Sequence, residues 1–412
     1  MALKSPFFDT RSAENYFDAL YGGRSDFQTD RYKTSFDKFK NLYRFDSAYI
    51  CSSSGRVELL GNHTDHNGGK VLSCAISLDT LAFFMPNESS VVNAYSEGYG
   101  KISADLKDLS KDSKGTTLAL IKGVAKWFVD NGFKVGGFDA YITSTVLNGA
   151  GISSSASFEL LISEIFNFLF NDGKITEEEK VSASHFAEYV YFGKPCGLLD
   201  QTAIAYGGLK KLDFKNKDAL SVKNVEGNLD DYTLILINTG GSHENLTDEY
   251  AAIPAEMKRA AKAFGKERLI DIDENEFFDA AKLKGLTDRE ISRSIHFFQE
   301  NKRVDNAEIA LNNGDFKAFL SCVRESGISS ICKLQNCYVP SSDEKPILRA
   351  LFIAEEFLNG GANRVHGGGF AGTILNIVKN DNKNFFIEQT SKFFGSENVI
   401  PLKVRKNGTI VL

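Results

Sequence analysis

A chain of 412 residues is too long for one ordinary hydrophobic core and suits two domains. Its 42% hydrophobic and 25% charged residues are the balance of a globular protein, which excludes disorder as the default reading. The net charge of -6 supplies no global attraction to nucleic acid or to an anionic membrane, so neither is expected as a partner.

No apolar run approaches the length that spans a bilayer, and the opening MALKSPFFDTRSAENYFD lacks the charged-then-apolar pattern of a signal peptide. Cys51, Cys74, Cys196, Cys322, Cys332 and Cys337 are scattered without metal-ligand spacing, so buried reduced thiols and a cytoplasmic location are expected.

In chain order, the first polar cluster is Gly55-Arg56-Val57-Glu58-Leu59-Leu60-Gly61-Asn62-His63-Thr64-Asp65-His66-Asn67-Gly68-Gly69, directly before the apolar run Val71 to Ile76. A loop rich in Arg, His, Asp and Asn beside a core strand can hydrogen-bond a polyhydroxylated ligand; a solvated hairpin has the same composition. Leu118, Ile121, Ala125 and Phe128 recur at helical spacing after Thr117, which is placed as an N-cap. Phe138 to Ser144 alternates as a half-buried strand does. A turn, Leu147 to Gly151, then leads into an apolar helix from Ala156 to Phe170. Thr176 and Glu179 form a capping-box pattern, with Ile175 placed as a hydrophobic staple. The helix they open carries Phe186, Glu188 and Val190.

A domain boundary is expected between Tyr206 and Asp231, dividing the chain into 1–210 and 211–412. Leu234 to Ile237 reads as a buried strand. Helical segments follow over 248–264, 305–322 and 345–357, and a turn at Gly367-Gly368-Gly369 enters a strand from Thr373 to Val378. Strands and helices without regular alternation predict an α+β fold.

The strongest chemical signal is Gly149-Ala150-Gly151-Ile152-Ser153-Ser154-Ser155-Ala156, between a strand and a helix. Glycines let the backbone approach a ligand, and the helix N-terminus offers unpaired N–H groups and a positive dipole end to a phosphate. The bland alternative is a tight turn with a serine N-cap. The stretch is neither a P-loop, since the Lys-Ser/Thr after the second glycine is missing, nor a good dinucleotide fingerprint.

These two motifs and His366-Gly367-Gly368-Gly369-Phe370-Ala371-Gly372, in this order, resemble those of the GHMP small-molecule kinases. The stretch GRVELLGNHTDHNGG is similar to the signature of the galactokinase family within that superfamily. Ile121-Lys122-Gly123-Val124, Lys194-Pro195-Cys196-Gly197-Leu198-Leu199-Asp200-Gln201 and Asp248-Glu249-Tyr250 also have counterparts there, so the likeness runs from about Phe36 to Val378. The resemblance implies an S5-like N-terminal domain, a ferredoxin-like C-terminal domain, and an active site between them. It implies ATP-dependent phosphorylation of galactose at its anomeric hydroxyl, with Asp200 as general base and Arg56 neutralising charge on the transferring phosphoryl. Gly149, Ala150, Gly151, Ile152, Ser153, Ser154 and Ser155 would hold ATP, Trp127 would flank the adenine, and Ser155 and Glu188 would hold Mg²⁺. Asn62, His63, Asp65, Gly197 and Tyr250 would contact the sugar. The implied partner is a small sugar, and a monomer is favoured.

The chain departs from the family at several points. It has Asn62 for the usual Glu, His66 for Tyr, Ser53-Ser54 for Ala-Pro, Leu147 for Pro and Ala371 for Gly. Asn62 removes a carboxylate from the sugar-facing set, so tolerance of an altered C6 group, including the carboxylate of galacturonate, is expected. The alternatives are a kinase for galacturonate, N-acetylgalactosamine or arabinose, or a non-catalytic galactose-sensing regulator. The intact serine motif with Arg56 and Asp200 favours an enzyme.

Overall fold

The structure, a computed structural model, describes residues 5–147, 151–194, 196–216, 220–227, 229–240, 247–279 and 283–412. In chain order its strands are β1 (Tyr49–Leu60), β2 (Lys70–Pro86), β3 (Val91–Ser96), β4 (Gly100–Asp105), β5 (Phe138–Ser144), β6 (Leu209–Asp213), β7 (Ser221–Asn224), β8 (Tyr232–Asn238), β9 (Ala362–His366), β10 (Thr373–Lys379), β11 (Val399–Leu402) and β12 (Ile410–Val411). The principal helices are α1 (Asp26–Tyr43), α2 (Thr117–Asp130), α3 (Ser154–Phe170), α4 (Glu177–Phe186), α5 (Leu199–Tyr206), α6 (Thr247–Ala263), α7 (Asp288–Asn312), α8 (Phe316–Ser329), α9 (Pro346–Glu355) and α10 (Lys383–Phe394).

The first sheet runs β12-β1-β2-β5-β3-β4, with β6 on β2 and β7 beyond it. Its organiser is β2, long enough to pair with β1 along one edge and with both β5 and β6 along the other. One face is covered by α1, whose Tyr32, Phe36 and Phe39 pack on Phe83 and Tyr141. The other is covered by α2 and α3, where Phe128, Ile162 and Phe166 meet Phe84 and Phe138. The second sheet is antiparallel, in the order β11-β8-β10-β9. Ile347 and Leu351 of α9 and Phe386 of α10 cover one of its faces. The opposite face, with Leu234, Leu236, Leu375 and Ile377, joins α7, α8 and the Val57, Leu59 and Leu72 side chains of the first sheet in one core. The two-sheet α+β arrangement agrees with the expected fold class.

Several elements fall where the sequence put them. The alternating strand occupies Phe138–Ser144, and Thr176 with Glu179 forms the capping box of α4. Two expectations are corrected. The N-cap of α2 is Thr116, whose hydroxyl accepts from the Ala119 N–H. The single helix read over 305–322 is two: α7 ends at Asn312, Gly314 takes a φ of +69°, and Asp315 caps α8. Both sides of that break are apolar at helical spacing, so periodicity alone reads through it. The boundary placed at 210/211 falls inside β6, a strand of the first sheet.

Two helices end in wider, π-type turns. Ala187–Phe192 continues α4 and Ser330–Leu334 continues α8. Such turns insert an extra residue and re-aim side chains, and they cluster at functional sites.

Candidate active site

Arg56 lies on β1 just after a register shift between Ser54 and Gly55 in its pairing with β2. A bulge there bends the strand and turns a side chain out of the regular alternation. A Cβ at Gly55 would stand 3.0 Å from the Ile152 carbonyl, a tight approach that glycine relieves. The guanidinium reaches α5, donating from Nε and Nη2 to Asp200 Oδ1 at 2.8 and 2.6 Å, and from Nη1 to the Gly151 carbonyl at 2.5 Å. The Ser153 hydroxyl donates to the other oxygen, Asp200 Oδ2, at 2.5 Å. Ser153 stands at the N-cap position of α3 in the left-handed region, φ +66°, and its side chain makes no cap hydrogen bond. The serine-cap reading therefore fails here: the hydroxyl is turned toward Asp200. Arg56 is nearly buried while the Asp200 side chain is 30% exposed, so the pair opens outward through the carboxylate.

In the first turn of α3, the Ser155 hydroxyl donates to Glu188 Oε1 at 2.7 Å. Glu188 lies on the π turn after α4, and Lys194 Nζ donates to the same oxygen at 2.8 Å. Gln201, next to Asp200, donates to Glu188 Oε2 at 2.7 Å and to Glu159 at 3.4 Å. Burial, reinforced by Glu188, pushes the Glu159 carboxyl well above its ordinary range. Beside this cluster, Ser154 and Ser155 form part of the wall of a cavity of about 970 Å³ that extends past Thr116, Leu118, Phe158 and Phe192 to Tyr99 and Lys101. The Ile152 side chain belongs to the core between the sheets. Gly149 and Ala150 lie outside the described residues, as does Pro195. Trp127 stacks on Phe133, centroids 6.1 Å apart, at the edge of the α2–α3 core.

The sugar-signature residues follow β1. His63 takes φ +57° and its Nε2 lies 2.9 Å from the Gly368 carbonyl. Burial, then the neighbouring His66, holds its pKa down to about 3. A carbonyl only accepts, so Nε2 carries the proton and Nδ1 is left as an acceptor. The Tyr250 ring packs edge-on against His63 at 5.3 Å and lies over Gly368, where a Cβ would meet it at 2.0 Å. Asp65 pairs with His66 at 3.2 Å, and its Oδ2 would stand 2.4 Å from a Cβ at Gly197. Burial raises the Asp65 pKa, but His66 and His63 outweigh it, and the carboxyl lies below its ordinary range. His63, Asp65, Gly197 and Tyr250 are thus brought together. Asn62 is 1% exposed. Its amide donates to Glu58 Oε1 and the Gly367 carbonyl, and its oxygen accepts from Asn336 at 2.7 Å and from Ser330 at 3.5 Å. Those four bonds fill the group.

Comparison with known proteins fits this geometry. The galactokinase galactose-binding signature matches residues 37–86, and the GHMP kinases N-terminal domain matches residues 119–208. The galactokinase of Clostridium tetani is 32% identical over 361 residues, covering 86% of this chain and 90% of that protein. The chain belongs to the galactokinase family. It is a galactokinase-like sugar kinase. The galactokinase of Lacticaseibacillus casei is 30% identical over 355 residues, with 82% and 88% covered. In fold, the chain matches Lactococcus lactis galactokinase complexed with galactose at a TM-score of 0.77, 24% identity, over 97% of this chain and 99% of that one. It matches the Methanococcus jannaschii mevalonate kinase at 0.60, 16% identity, over 87% and 98%.

Within this sugar kinase, sequence reasoning missed a buried tier beneath the site. Arg364 on β9 bonds Glu58 and the Leu59 carbonyl, and His366 accepts the Glu58 N–H at 3.2 Å. Glu300 on α7 accepts the Gly61 N–H at 2.9 Å, and His296 sits 2.9 Å from the Asn62 carbonyl. For His296 and Glu300 the one signal in the sequence is a polar residue on an apolar-spaced helix face. Among the described residues no helix is long and apolar enough to cross a membrane, and all six cysteines are free.

Proposed function

We propose that the chain transfers the γ-phosphoryl group of ATP to the anomeric hydroxyl of galactose. The observation that carries this reading is Asp200, held between Arg56 and Ser153 where the phosphate-loop helix and the sugar-signature loop converge. Oδ1 is taken by two Arg56 N–H groups and Oδ2 by one hydroxyl, which leaves a lone pair on Oδ2 for an incoming sugar hydroxyl. Asp200 Oδ2 then receives the proton as the oxygen attacks, and Arg56 faces the charge of the transferring group. His63 Nδ1, Asp65 and Tyr250 supply the hydrogen-bonding partners for the remaining hydroxyls. The Ser155 hydroxyl and Glu188 carboxylate fit Mg²⁺, which favours few protein oxygens beside phosphate oxygens and would supply positive charge to the phosphates.

Galactose is favoured over galacturonate on one point. His63 is neutral at physiological pH and gives no cation to a carboxylate. The test is sugar-dependent ADP release with galactose, galacturonate, N-acetylgalactosamine and arabinose, on the wild type and Asp200→Asn. Galactose should stimulate release most, and D200N should lower kcat by roughly 10²–10⁴ with a small change in KM. Equal activity of the variant, or no response to any sugar, overturns the reading.

A further inference from the structure

The turn between β9 and β10 touches both halves of the site. The Gly367 carbonyl accepts from Asn62 at 2.8 Å, and the Gly368 carbonyl accepts from both His63 at 2.9 Å and Asn336 at 3.2 Å. A Cβ at Gly367 would lie 3.7 Å from the Gly151 carbonyl of the phosphate loop. The turn has an unusual backbone: Gly367, Gly369, Phe370 and Gly372 all have positive φ, between +62° and +94°. For Phe370 that is a strained conformation, and such residues persist only where surroundings fix them. Thr239 holds the far end of the turn through two bonds to the Gly372 carbonyl, and Asn336 holds its centre. Asn336 is fully buried, its backbone carbonyl accepts the Phe370 N–H at 2.5 Å, and its side-chain amide donates to both Asn62 Oδ1 and the Gly368 carbonyl. The backbone is bent to deliver it, by the π turn Ser330–Leu334 and by Gln335 at φ +60°.

We propose that Asn336, with Asn62, is a positioning residue: the two amides clamp the Gly367 and Gly368 carbonyls and so orient His63 toward the sugar, without touching the sugar themselves. An amide is needed at both places because each must donate to a carbonyl, and Asn62 also accepts from Asn336. A carboxylate at 62 would lose the bond to Gly367 and face the buried Glu58 carboxylate, which Asn62 now contacts at 3.1 Å.

The kinetic part of the test rests on the sugar-kinase reading; the spectroscopic part does not. In the full-length protein with ¹⁵N-labelled histidine, the His63 signal is the one lost in His63→Ala. In the wild type at neutral pH it should show the Nε2–H tautomer, and in Asn336→Ala and Asn336→Asp it should shift. Kinetically, both Asn336 variants should raise the KM for galactose about tenfold, as expected for loss of a buried hydrogen bond. The KM for ATP should stay within about twofold, and N336A should add nothing in the H63A background. An unshifted His63 signal in a folded Asn336 variant overturns the proposal, as does an additive double variant. If no sugar supports turnover, the function reading fails and the His63 signal alone decides the clamp. If N336A does not fold, N336D, which keeps the side-chain shape, carries both measurements.

Discussion

Three buried histidines around the site, His63, His296 and His366, are uncharged in the folded protein at neutral pH. Burial first, then nearby cations, holds His366 well below its ordinary value; His63 falls to about 3 and His296 to about 4. Each binds a proton readily once unfolded, where the ordinary value is 6.5. Below that pH the unfolded chain therefore binds more protons, so stability is full above 6.5 and is lost as the pH falls toward the folded values. Each histidine contributes about 1.4 kcal/mol per pH unit inside that window. Urea unfolding at neutral pH and near pH 5 should show the combined slope. His296→Gln should reduce it by one proton while lowering stability at neutral pH, since the ring bridges Asn62 and Ser329. A slope unchanged by H296Q would mean that His296 is not held neutral. At the same scale, exchanging Arg56 for Lys keeps the charge but loses the paired contact to Asp200, and kcat should fall about 100-fold at an unchanged melting temperature. Full retention of kcat would show that charge alone suffices there.

At the scale of elements, the site depends on places where a regular element is interrupted. β1 breaks register just before Arg56, the π turn after α4 presents Glu188, and α5 begins where Gly197 lets the chain pass against Asp65. Gly197→Ala puts a Cβ 2.4 Å from Asp65 Oδ2, so the carboxylate must move. The KM for galactose should rise at least about tenfold, with less change in the KM for ATP. Unchanged galactose kinetics would remove Gly197 and Asp65 from the sugar contacts. These interruptions also explain what was legible in the sequence. Strand alternation at 138–144 and the capping box at Thr176 are local, so they could be read directly. The break at Gly314 and the direction of the Ser153 hydroxyl could not, because each depends on a partner distant in the chain or on a conformation that apolar spacing does not encode.

At the scale of the molecule, the chain ends where it began. Buried Asp79 on β2 binds Arg31 of α1 at 2.6 Å and the Tyr21 hydroxyl at 2.6 Å, and Arg405, between β11 and β12, lies 3.7 Å away. Burial would raise the Asp79 pKa, but the two guanidiniums and its hydrogen bonds outweigh it and hold the carboxyl below its ordinary range. We propose on this ground that the first structural unit comprises residues 5–224 together with 405–412, and the second 229–402. Arg405→Met should lower the unfolding free energy by about 3 kcal/mol while leaving galactose kinetics intact. Loss of sugar affinity at full stability would contradict that division.

Taken by itself, the sequence determined the α+β class, the three glycine-rich motifs and the family, because each is written in residues close together or in a fixed order. Tertiary structure alone decided that Asn62 is spent within the protein, that His63 is a neutral acceptor, and that Ser153 serves Asp200. The physical reason is common to all three. A side chain's hydrogen-bonding capacity and charge are set by what surrounds it, and in this protein the surroundings come from α7, the segment after α8 and the β9–β10 turn, more than 200 residues further along the chain for Asn62 and His63, and from α5 for Ser153.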